Sequence, residues 1–401
     1  MKSPLPIFDD IKHIDTIDLK TTSDEATIQD YAHALSFLKS YNGSQGTFNS
    51  YRREIERLLH WCTLIAKKSL NQLKRNDIES FMHFCQKPLK SWIGTAKVPR
   101  FITVEGIRVT NSKWRPYIAT VSKTEHRNGE RPTPKDFTFT HTSAKETFAI
   151  LSTFYNYLLQ EEYVYMNPVA LIRQKSKFIQ KSQEQSKIRR LSDLQWNYVI
   201  TAANTMAKQK PIVHERTLFI MSALYAMYLR ISELAASARW TPLMSHFYRD
   251  SEANWWFSTV GKGNKKRQIA VSDTMLEALK RWRQHLELSA LPSPADQSPL
   301  IPKTKGQGAI TNTSYIRKIV QNCFDQAIND LRKDGFTLEA ESLTEATVHW
   351  LRHTGISDDV KHRPREHVRD DAGHGSGAIT DKYIDVELRE RHKTAKGKLI
   401  E

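Results

Sequence analysis

The chain has 401 residues, of which 60 are Lys or Arg and 44 are Asp or Glu, so its formal net charge is +16. The length predicts two or three domains, and a hydrophobic content of 39% excludes a mainly disordered protein. The absence of an apolar run of about 18 residues excludes a spanning helix. The three scattered cysteines (Cys62, Cys85 and Cys323) indicate neither a disulfide framework nor a cysteine zinc site. A basic chain without a secretory signal is expected in the cytoplasm, with a polyanion such as nucleic acid as its partner.

The first part of the chain is predicted to be helical. Residues 1–25 form an acidic leader that is expected to be mobile, and a helical domain is predicted over 26–174. Apolar spacing places its helices at 26–39, 47–66, 75–84 and 142–160.

An insertion at 86–140 interrupts this helical pattern with strands predicted at 101–104, 107–110 and 117–121. It carries 11 Lys or Arg against four acids. This charge is consistent with contacts to DNA phosphates and equally with a solvated loop.

Residues 175–190 have the composition of a basic linker, with six Lys or Arg and one Glu. A second domain is predicted over 191–401. Its helices are expected at 192–208, 214–227, 231–237, 272–287, 313–332, 344–360 and 380–393. A β-hairpin is predicted from strands at 255–260 and 268–271.

Two short segments of the second domain carry an arginine and a lysine in unusual settings. Arg230 interrupts an apolar stretch, and Glu233 follows three residues later. A buried arginine needs an anion, which is either Glu233 in a structural ion pair or an external phosphate. Lys262 stands between two glycines at the hairpin turn, where a solvated lysine is the alternative to a ligand contact. The sequence around it lacks the spacing of a Walker motif.

Two further segments carry histidines and a tyrosine. His349 and His353 lie one helical turn apart, which is a spacing of zinc ligands, but a tryptophan stands where a zinc protease has its glutamate. Arg352 between them favours an anion instead. In the last segment, Tyr383 follows a glycine-rich turn that contains His374, in surroundings more polar than those of a core tyrosine.

The order and spacing of these segments resemble the tyrosine recombinase (phage integrase) family over roughly residues 190–401. An R-x-x-E motif is followed by a Gly-Lys-Gly hairpin, by H-x-x-R-H, and by Gly-His with a tyrosine nine residues after that histidine. The helical first domain resembles the family's core-binding domain more loosely. The resemblance implies a mainly α fold with a small β-sheet, in which a helical core-binding domain and an α+β catalytic domain form a C-shaped clamp around DNA.

The resemblance also implies the roles of the site residues. Seven positions match the family's catalytic residues: Arg230, Glu233, Lys262, His349, Arg352, His374 and Tyr383. The arginines are expected to hold the scissile phosphate, with the glutamate beneath the first of them. The lysine is expected to protonate the leaving 5′ oxygen and the tyrosine to attack as nucleophile. His353 is assigned a mainly structural role.

The implied activity is site-specific DNA recombination of the integration or excision type, through a 3′-phosphotyrosyl intermediate and a Holliday junction. Neither a cofactor nor a metal is expected. The expected partners are double-stranded DNA with a specific recombination site and further copies of the chain, as a homotetramer on DNA and a monomer free in solution. No membrane partner is expected, and the expected location is the bacterial nucleoid.

Some features of the sequence keep other functions open. The segment 357–371 is charged where relatives are mostly apolar, and the insertion at 86–140 is not a standard part of the core-binding domain. A metal-dependent nuclease built on His349 and His353 is one alternative, and a catalytically idle DNA-binding protein of the same fold is another. A type IB topoisomerase shares the chemistry, but the spacing around His374 favours a recombinase.

Overall fold

The computed structural model describes residues 3–14, 25–41, 44–173, 189–261, 263–384 and 396. The chain divides into two compact units, Met1–Gln185 and Ser186–Glu401. The boundary lies within the predicted linker, whose residues 175–188 are outside the described ones. No helix in the described part of the chain is long and apolar enough to cross a membrane.

The N-terminal unit is a helical bundle with a small strand-containing insertion. Its described helices are α1 (Glu25–Ser40), α2 (Gln45–Trp61), α3 (Arg75–Gln86), α4 (Lys123–Arg127), α5 (His141–Gln160) and α6 (Ala170–Arg173). A π-helical turn, Cys62–Ala66, extends α2. The apolar stripes of α2 and α5 meet in the core, where Phe48, Leu58, Phe148 and Phe154 are fully buried. Burial of such stripes is what stabilises helices of this length.

The N-terminal segment packs on this bundle, which corrects the prediction of a mobile leader for residues 3–14. Phe8 is 0% exposed and Ile14 is 2% exposed. The backbone N–H groups of Ile7 and Phe8 donate to the buried Glu56 carboxylate. The segment is acidic in composition but is anchored by its apolar residues, a feature that net charge does not reveal.

The insertion contains two pairs of strands. Strands β2 (Phe101–Val104) and β3 (Ile107–Thr110) form the predicted antiparallel hairpin. Strands β1 (Ile93–Gly94) and β4 (Tyr117–Ile118) pair in parallel, and β4 is shorter than the predicted strand.

Two of the basic residues of the insertion already have carboxylate partners. Arg108 donates to Asp9 at 2.6 to 2.9 Å, and Arg100 pairs with Glu56. Arg108 therefore holds the N-terminal segment, and Arg100 holds the α2 carboxylate that accepts from that segment. Both side chains are engaged within the N-terminal unit.

The C-terminal unit combines a helical core with a three-stranded antiparallel sheet. Its helices are α7 (Asp193–Gln209), α8 (Pro211–Ala226), α9 (Asp273–His285), α10 (Thr313–Lys333), α11 (Thr337–Thr344), α12 (Val348–Asp359), α13 (Arg365–Ala372) and α14 (Gly377–Ile384). The sheet has the order β5 (Phe247–Arg249), β6 (Trp255–Val260) and β7 (Lys266–Ala270). Its core includes Phe219 and Trp282, whose rings stack 5.5 Å apart.

Several predictions for this unit are corrected. The helix predicted at 231–237 is a 3₁₀ turn, Ile231–Glu233, because the N–H of Ala236 bonds to the carbonyl of Ile310 instead of a carbonyl of its own segment. The helix predicted at 344–360 begins at Val348, and α11 and α13 are additional. The helix predicted at 380–393 begins at Gly377, and residues 385–393 lie outside the described ones.

Candidate active site

The first component of the site is the turn that joins Arg230 to Glu233. The backbone N–H of Arg230 donates to Glu233 Oε2 at 2.7 Å, and its guanidinium donates to Oε1 at 3.2 Å. The Arg230 side chain is 26% exposed, whereas that of Glu233 is 1% exposed. A buried carboxylate thus fixes the arginine while the cation still reaches solvent.

The second component is the hairpin formed by β6 and β7. Lys262 lies outside the described residues. The backbone beside it is close to the first component, because a Cβ on Gly261 would lie 3.1 Å from Glu233 Oε1 and 3.4 Å from Arg230 Nη1. The first residue of the turn between β6 and β7 therefore lies beside the Arg230 turn.

The hairpin also supplies Arg267, which the sequence analysis did not select. Its guanidinium donates to Glu233 Oε2 at 2.8 Å and to the carbonyl of Ala372 at 2.9 Å. Its side chain is only 8% exposed. A single arginine in a strand gives no signal in the sequence, since its two partners lie 34 and 105 residues away.

Helix α12 supplies Arg352, which is 4% exposed. Its Nη2 donates to the carbonyl of Ala372 at 2.6 Å, and its Nη1 donates to the carbonyl of Tyr228. Burial, together with the positive charges of Arg230 and Arg267, lowers the pKa of Arg352 to about 9. The group remains charged at neutral pH, but its charge is poorly compensated.

Tyr228 is a second residue that sequence reasoning missed. Its backbone has a positive φ of 49°, in the left-handed region that non-glycine residues rarely occupy. In this conformation the carbonyl of Tyr228 accepts a hydrogen bond from the Arg352 guanidinium. Strained backbone of this kind concentrates at functional sites.

The turn after α13 gathers the arginines. Arg230 Nη2 lies 3.5 Å from the Gly373 carbonyl, next to the Ala372 carbonyl that both Arg267 and Arg352 contact. Gly373 has φ +62°, and a Cβ there would lie 2.8 Å from Arg267 Cδ. Another residue at this position would be strained, so the turn favours glycine.

His374 follows this turn and faces the tyrosine. Its Nδ1 is hydrogen-bonded to Thr380 Oγ1 at 2.8 Å, and its ring stacks on that of Tyr383 with centroids 5.6 Å apart. Burial and the neighbouring cations, Arg352 first among them, lower the pKa of His374 to about 4. The imidazole is thus neutral at physiological pH.

Tyr383 lies on α14, half-buried against Tyr228, Ile356 and Val368. Burial raises the pKa of its hydroxyl, and the charges of Arg352 and Arg230 offset part of that rise. The hydroxyl lies 2.6 Å from His353 Nδ1. The residue that the sequence analysis assigned a structural role thus contacts the predicted nucleophile directly.

His349 lies one turn before His353 on α12, with the two ring centroids 6.3 Å apart. Burial and the charges of Arg352, Arg230 and Arg317 lower its pKa. The structure therefore brings six of the seven predicted residues into one region, and Lys262 is the one that it does not describe.

The charges of this region are unbalanced. Three guanidinium groups, those of Arg230, Arg267 and Arg352, converge on two carbonyls and on one carboxylate, Glu233. An anion with several oxygen acceptors would relieve their mutual repulsion. The arrangement can bind such an anion beside a tyrosine hydroxyl and neutral imidazoles.

The charged segment 357–371 forms a network beneath the site. Arg363 pairs with Asp359 at 3.0 Å and with Asp371 at 2.6 Å, and it donates to the Tyr228 hydroxyl. Asp371 accepts in turn from the N–H of Ala270 in β7. These ion pairs add to the apolar packing of Ile356 on α12 against Val368 and Ala372 on α13.

A metal site would need three or more His, Cys, Asp or Glu side chains with their ligand atoms close together. In the described residues one such group is present, Asp9, Asp10 and His13 in the N-terminal unit. It does not include His349 or His353, which the nuclease alternative requires.

The sequence was compared with protein families and with curated proteins. The family model described as the phage integrase family matches residues 189–390, about half of the chain. No curated protein matches the sequence.

Solved structures resemble the whole chain in fold. A post-cleavage complex of the XerH site-specific recombinase with a palindromic difH substrate has a TM-score of 0.57 at 14% identity, and the match covers 99% of both chains. A pre-cleavage XerH complex has a TM-score of 0.50 at 15% identity, covering 98% of this chain and 99% of that one. A dimer of lambda integrase residues 75–356 on a core site has a TM-score of 0.50 at 14% identity, covering 92% and 98%.

These matches confirm the mainly α tyrosine recombinase fold with small β-sheets that the resemblance implies. The order of the motifs, the arginine-rich site and the family match agree with one another. The chain belongs to the phage integrase family, the tyrosine recombinases.

Proposed function

We propose that this protein is a site-specific DNA recombinase that cleaves one strand with Tyr383 and forms a 3′-phosphotyrosyl intermediate. The observation that carries the proposal is the convergence of Arg230, Arg267 and Arg352 near Tyr383, with one carboxylate, Glu233, which Arg230 and Arg267 share. A phosphodiester supplies the missing negative charge at this position. It also supplies the phosphorus that a tyrosine oxygen can attack.

The chemistry follows from where charge develops. Negative charge accumulates on the non-bridging oxygens in the transition state, and Arg230 and Arg352 are held rigidly to receive it. The Tyr383 oxygen forms a bond to phosphorus as the bond to the 5′ oxygen breaks. Lys262, on a turn whose base contacts Glu233 and Arg230, is the proposed proton donor for that leaving oxygen.

The covalent bond to tyrosine keeps the energy of the broken linkage. A 5′-hydroxyl from the partner strand can therefore attack it and restore a phosphodiester without a cofactor. We propose that exchange of two strands in this way proceeds through a Holliday junction, in a homotetramer on double-stranded DNA. The N-terminal unit is the proposed core-binding domain, and the location is the cytoplasm at the nucleoid.

The XerH and lambda integrase structures support the DNA partner. Those proteins are described on a difH substrate and on a core site, respectively. For the present chain, the net charge of +16 also favours a polyanionic partner.

Covalent trapping tests the proposed nucleophile. The protein is mixed with fragmented genomic DNA of its host in EDTA, quenched in detergent, and the DNA that stays attached to protein is sequenced. We expect one recurrent site with wild type and none with Tyr383→Phe, while Tyr315→Phe, a change on α10, behaves as wild type.

The outcomes separate the alternatives. Adducts with Tyr383→Phe would show that another residue attacks. Strand breakage that requires a divalent metal and leaves no adduct would establish the nuclease. Specific binding of duplex DNA by wild type without any adduct would establish the idle DNA-binding protein.

A further inference from the structure

His353 is the side chain in direct contact with the proposed nucleophile. Its Nδ1 lies 2.6 Å from the Tyr383 hydroxyl oxygen, and the two ring centroids are 5.5 Å apart with planes inclined by 37°. When Nε2 carries the ring proton, the hydroxyl donates this bond and Nδ1 accepts it. This distance is the one expected between a general base and the hydroxyl from which it takes a proton.

We propose that His353 is the catalytic base that takes the proton of the Tyr383 hydroxyl during strand cleavage. This inference rests on the proposed function, because it assigns the base for that same tyrosine. It gives a chemical role to a residue that follows Arg352 directly in the sequence.

The other two imidazoles are less well placed for this task. His374 stacks on the Tyr383 ring at an interplanar angle of 15°, so it presents its face to that ring, and its Nδ1 is engaged by Thr380. His349 has its ring 6.3 Å from that of His353, on the side of Arg230, Arg352 and Arg317. Both are therefore better suited to contact a bound phosphate.

The surroundings of His353 keep its imidazole unprotonated in the free protein, which is the form that can accept a proton. It faces His349 and Arg352 on its own helix, Tyr383 on α14, and His374 on the turn before α14. Burial, His349 and Arg352 lower its pKa to about 4, so the ring is neutral in the free protein.

A bound phosphate would change this balance. Its negative charge would offset Arg230 and Arg352, and a nearby anion stabilises a protonated imidazole. The basicity of His353 is therefore expected to rise when DNA occupies the site. Tyrosine activation is in this way coupled to correct placement of the scissile phosphate.

The step balances as follows. The hydroxyl proton moves to His353 Nδ1 while the tyrosine oxygen bonds to phosphorus. The bond between phosphorus and the 5′ oxygen breaks, and that oxygen leaves with the electron pair and takes a proton from the Lys262 ammonium. In rejoining, a 5′-hydroxyl attacks phosphorus and gives its proton to the Lys262 amine, and the departing tyrosine oxygen recovers its proton from the His353 imidazolium.

The test uses two variants of the full chain. His353→Asn places an amide oxygen near the position of Nδ1, so it can accept the hydrogen bond but cannot hold the proton. His353→Phe can do neither. His367→Asn, an exposed histidine on α13, is the matched control.

The substrates are nicked duplexes that carry the site recovered by covalent trapping, with either oxygen or sulfur as the bridging 5′ atom. A thiolate leaves without a proton, so the sulfur duplex removes the need for an acid but not for a base. We expect both His353 variants to bind the duplex as wild type does. We also expect them to form the adduct about 100-fold or more slowly on both duplexes, the size of a general-base contribution.

Several results would overturn the assignment. Adduct formation by His353→Asn near the wild-type rate would show that the residue only positions the tyrosine. Recovery of the variants on the sulfur duplex would place the defect at the leaving group. A wild-type protein that forms no adduct would overturn the proposed function and this assignment together, whereas unaffected His353 variants would overturn the assignment alone.

Discussion

Arg230 and Arg352 carry the same charge but are held in different ways. Arg352 is buried and donates to the carbonyls of Tyr228 and Ala372, which belong to two other segments of the unit. Arg230 is 26% exposed, and its main partner, Glu233, keeps Arg267 as a second donor. Arg352 therefore supports the fold as well as the proposed phosphate site.

The arginine variants are expected to separate stability from activity. Arg352→Ala removes the guanidinium that donates to the Tyr228 carbonyl and leaves Arg267 as the donor to the Ala372 carbonyl. A buried acceptor without a partner costs about 1–3 kcal/mol, so the unfolding midpoint should fall clearly. Arg230→Ala should change the midpoint little. Both should slow adduct formation by a factor corresponding to about 3 kcal/mol or more, as for the loss of an oxyanion donor.

Urea unfolding and single-turnover adduct formation are the two measurements. Arg75→Ala is the control, since Arg75 belongs to an exposed pair with Glu79 in the N-terminal unit. Equal losses of stability in the Arg230 and Arg352 variants would contradict the difference drawn between them. Near-normal cleavage by either would remove that residue from the proposed phosphate site.

At the scale of the element, the turn from Ala372 to His374 connects most of the site. It ends α13, presents two carbonyls to three arginines and directs His374 toward Tyr383. Its left-handed residue, Gly373, makes this possible. Gly375 lies two residues later, without a positive φ and with open space around its Cβ position.

These two glycines offer a matched pair of substitutions. Gly373→Ala should destabilise the unit by about 1–2 kcal/mol from the left-handed backbone alone, and further because the new Cβ meets Arg267. Gly375→Ala should leave the unfolding midpoint near that of wild type. Thermal unfolding of both variants checks this, and equal midpoints would show that the turn does not depend on its glycine.

The sequence predicts those elements whose apolar spacing is regular. Helices α2, α5, α7 and α10 appear close to their predicted bounds, as does the hairpin of β6 and β7. Helix α13 was missed because it buries only Val368, Asp371 and Ala372, so its charged residues conceal the period. The short strand β5 is defined by pairing with β6 and has little pattern of its own.

The site was predictable to the extent that its motifs are local. Arg230 and Glu233 lie within one turn, and His349, Arg352 and His353 share one helix. Arg267 and the Tyr228 carbonyl act through partners more than 30 residues away, which no local spacing records. The contact between His353 and Tyr383 likewise depends on how α12 and α14 pack.

At the scale of the whole molecule, both units hold histidines that full or partial burial keeps neutral. In the N-terminal unit, His60 is 5% exposed between the rings of Trp92 and Trp114, and its Nε2 has no hydrogen-bond partner. Burial lowers its pKa to about 3. Glu56 lies 4.0 Å away but is already paired with Arg100.

The free energy of unfolding is therefore expected to fall as the pH drops below the pKa of histidine in the unfolded chain. The unfolded side chain has a pKa of about 6.5, so between that value and about 3 the unfolded chain binds a proton at His60 that the folded chain does not. The stabilisation is fully present above about pH 6.5, and His60 alone should account for a loss of about 2 kcal/mol by pH 5. His353 and His374, with pKa values lowered to about 4, act in the same direction in the C-terminal unit.

Urea unfolding at pH 7.5 and pH 5 measures this dependence. His60→Gln should unfold more easily at pH 7.5 but lose less free energy of unfolding between the two pH values than wild type does. His141→Gln, which changes an exposed histidine at the start of α5, should keep the wild-type difference. If His60→Gln lost as much as wild type, the acid sensitivity would have to come from other groups, and the buried neutral state of His60 would not control it.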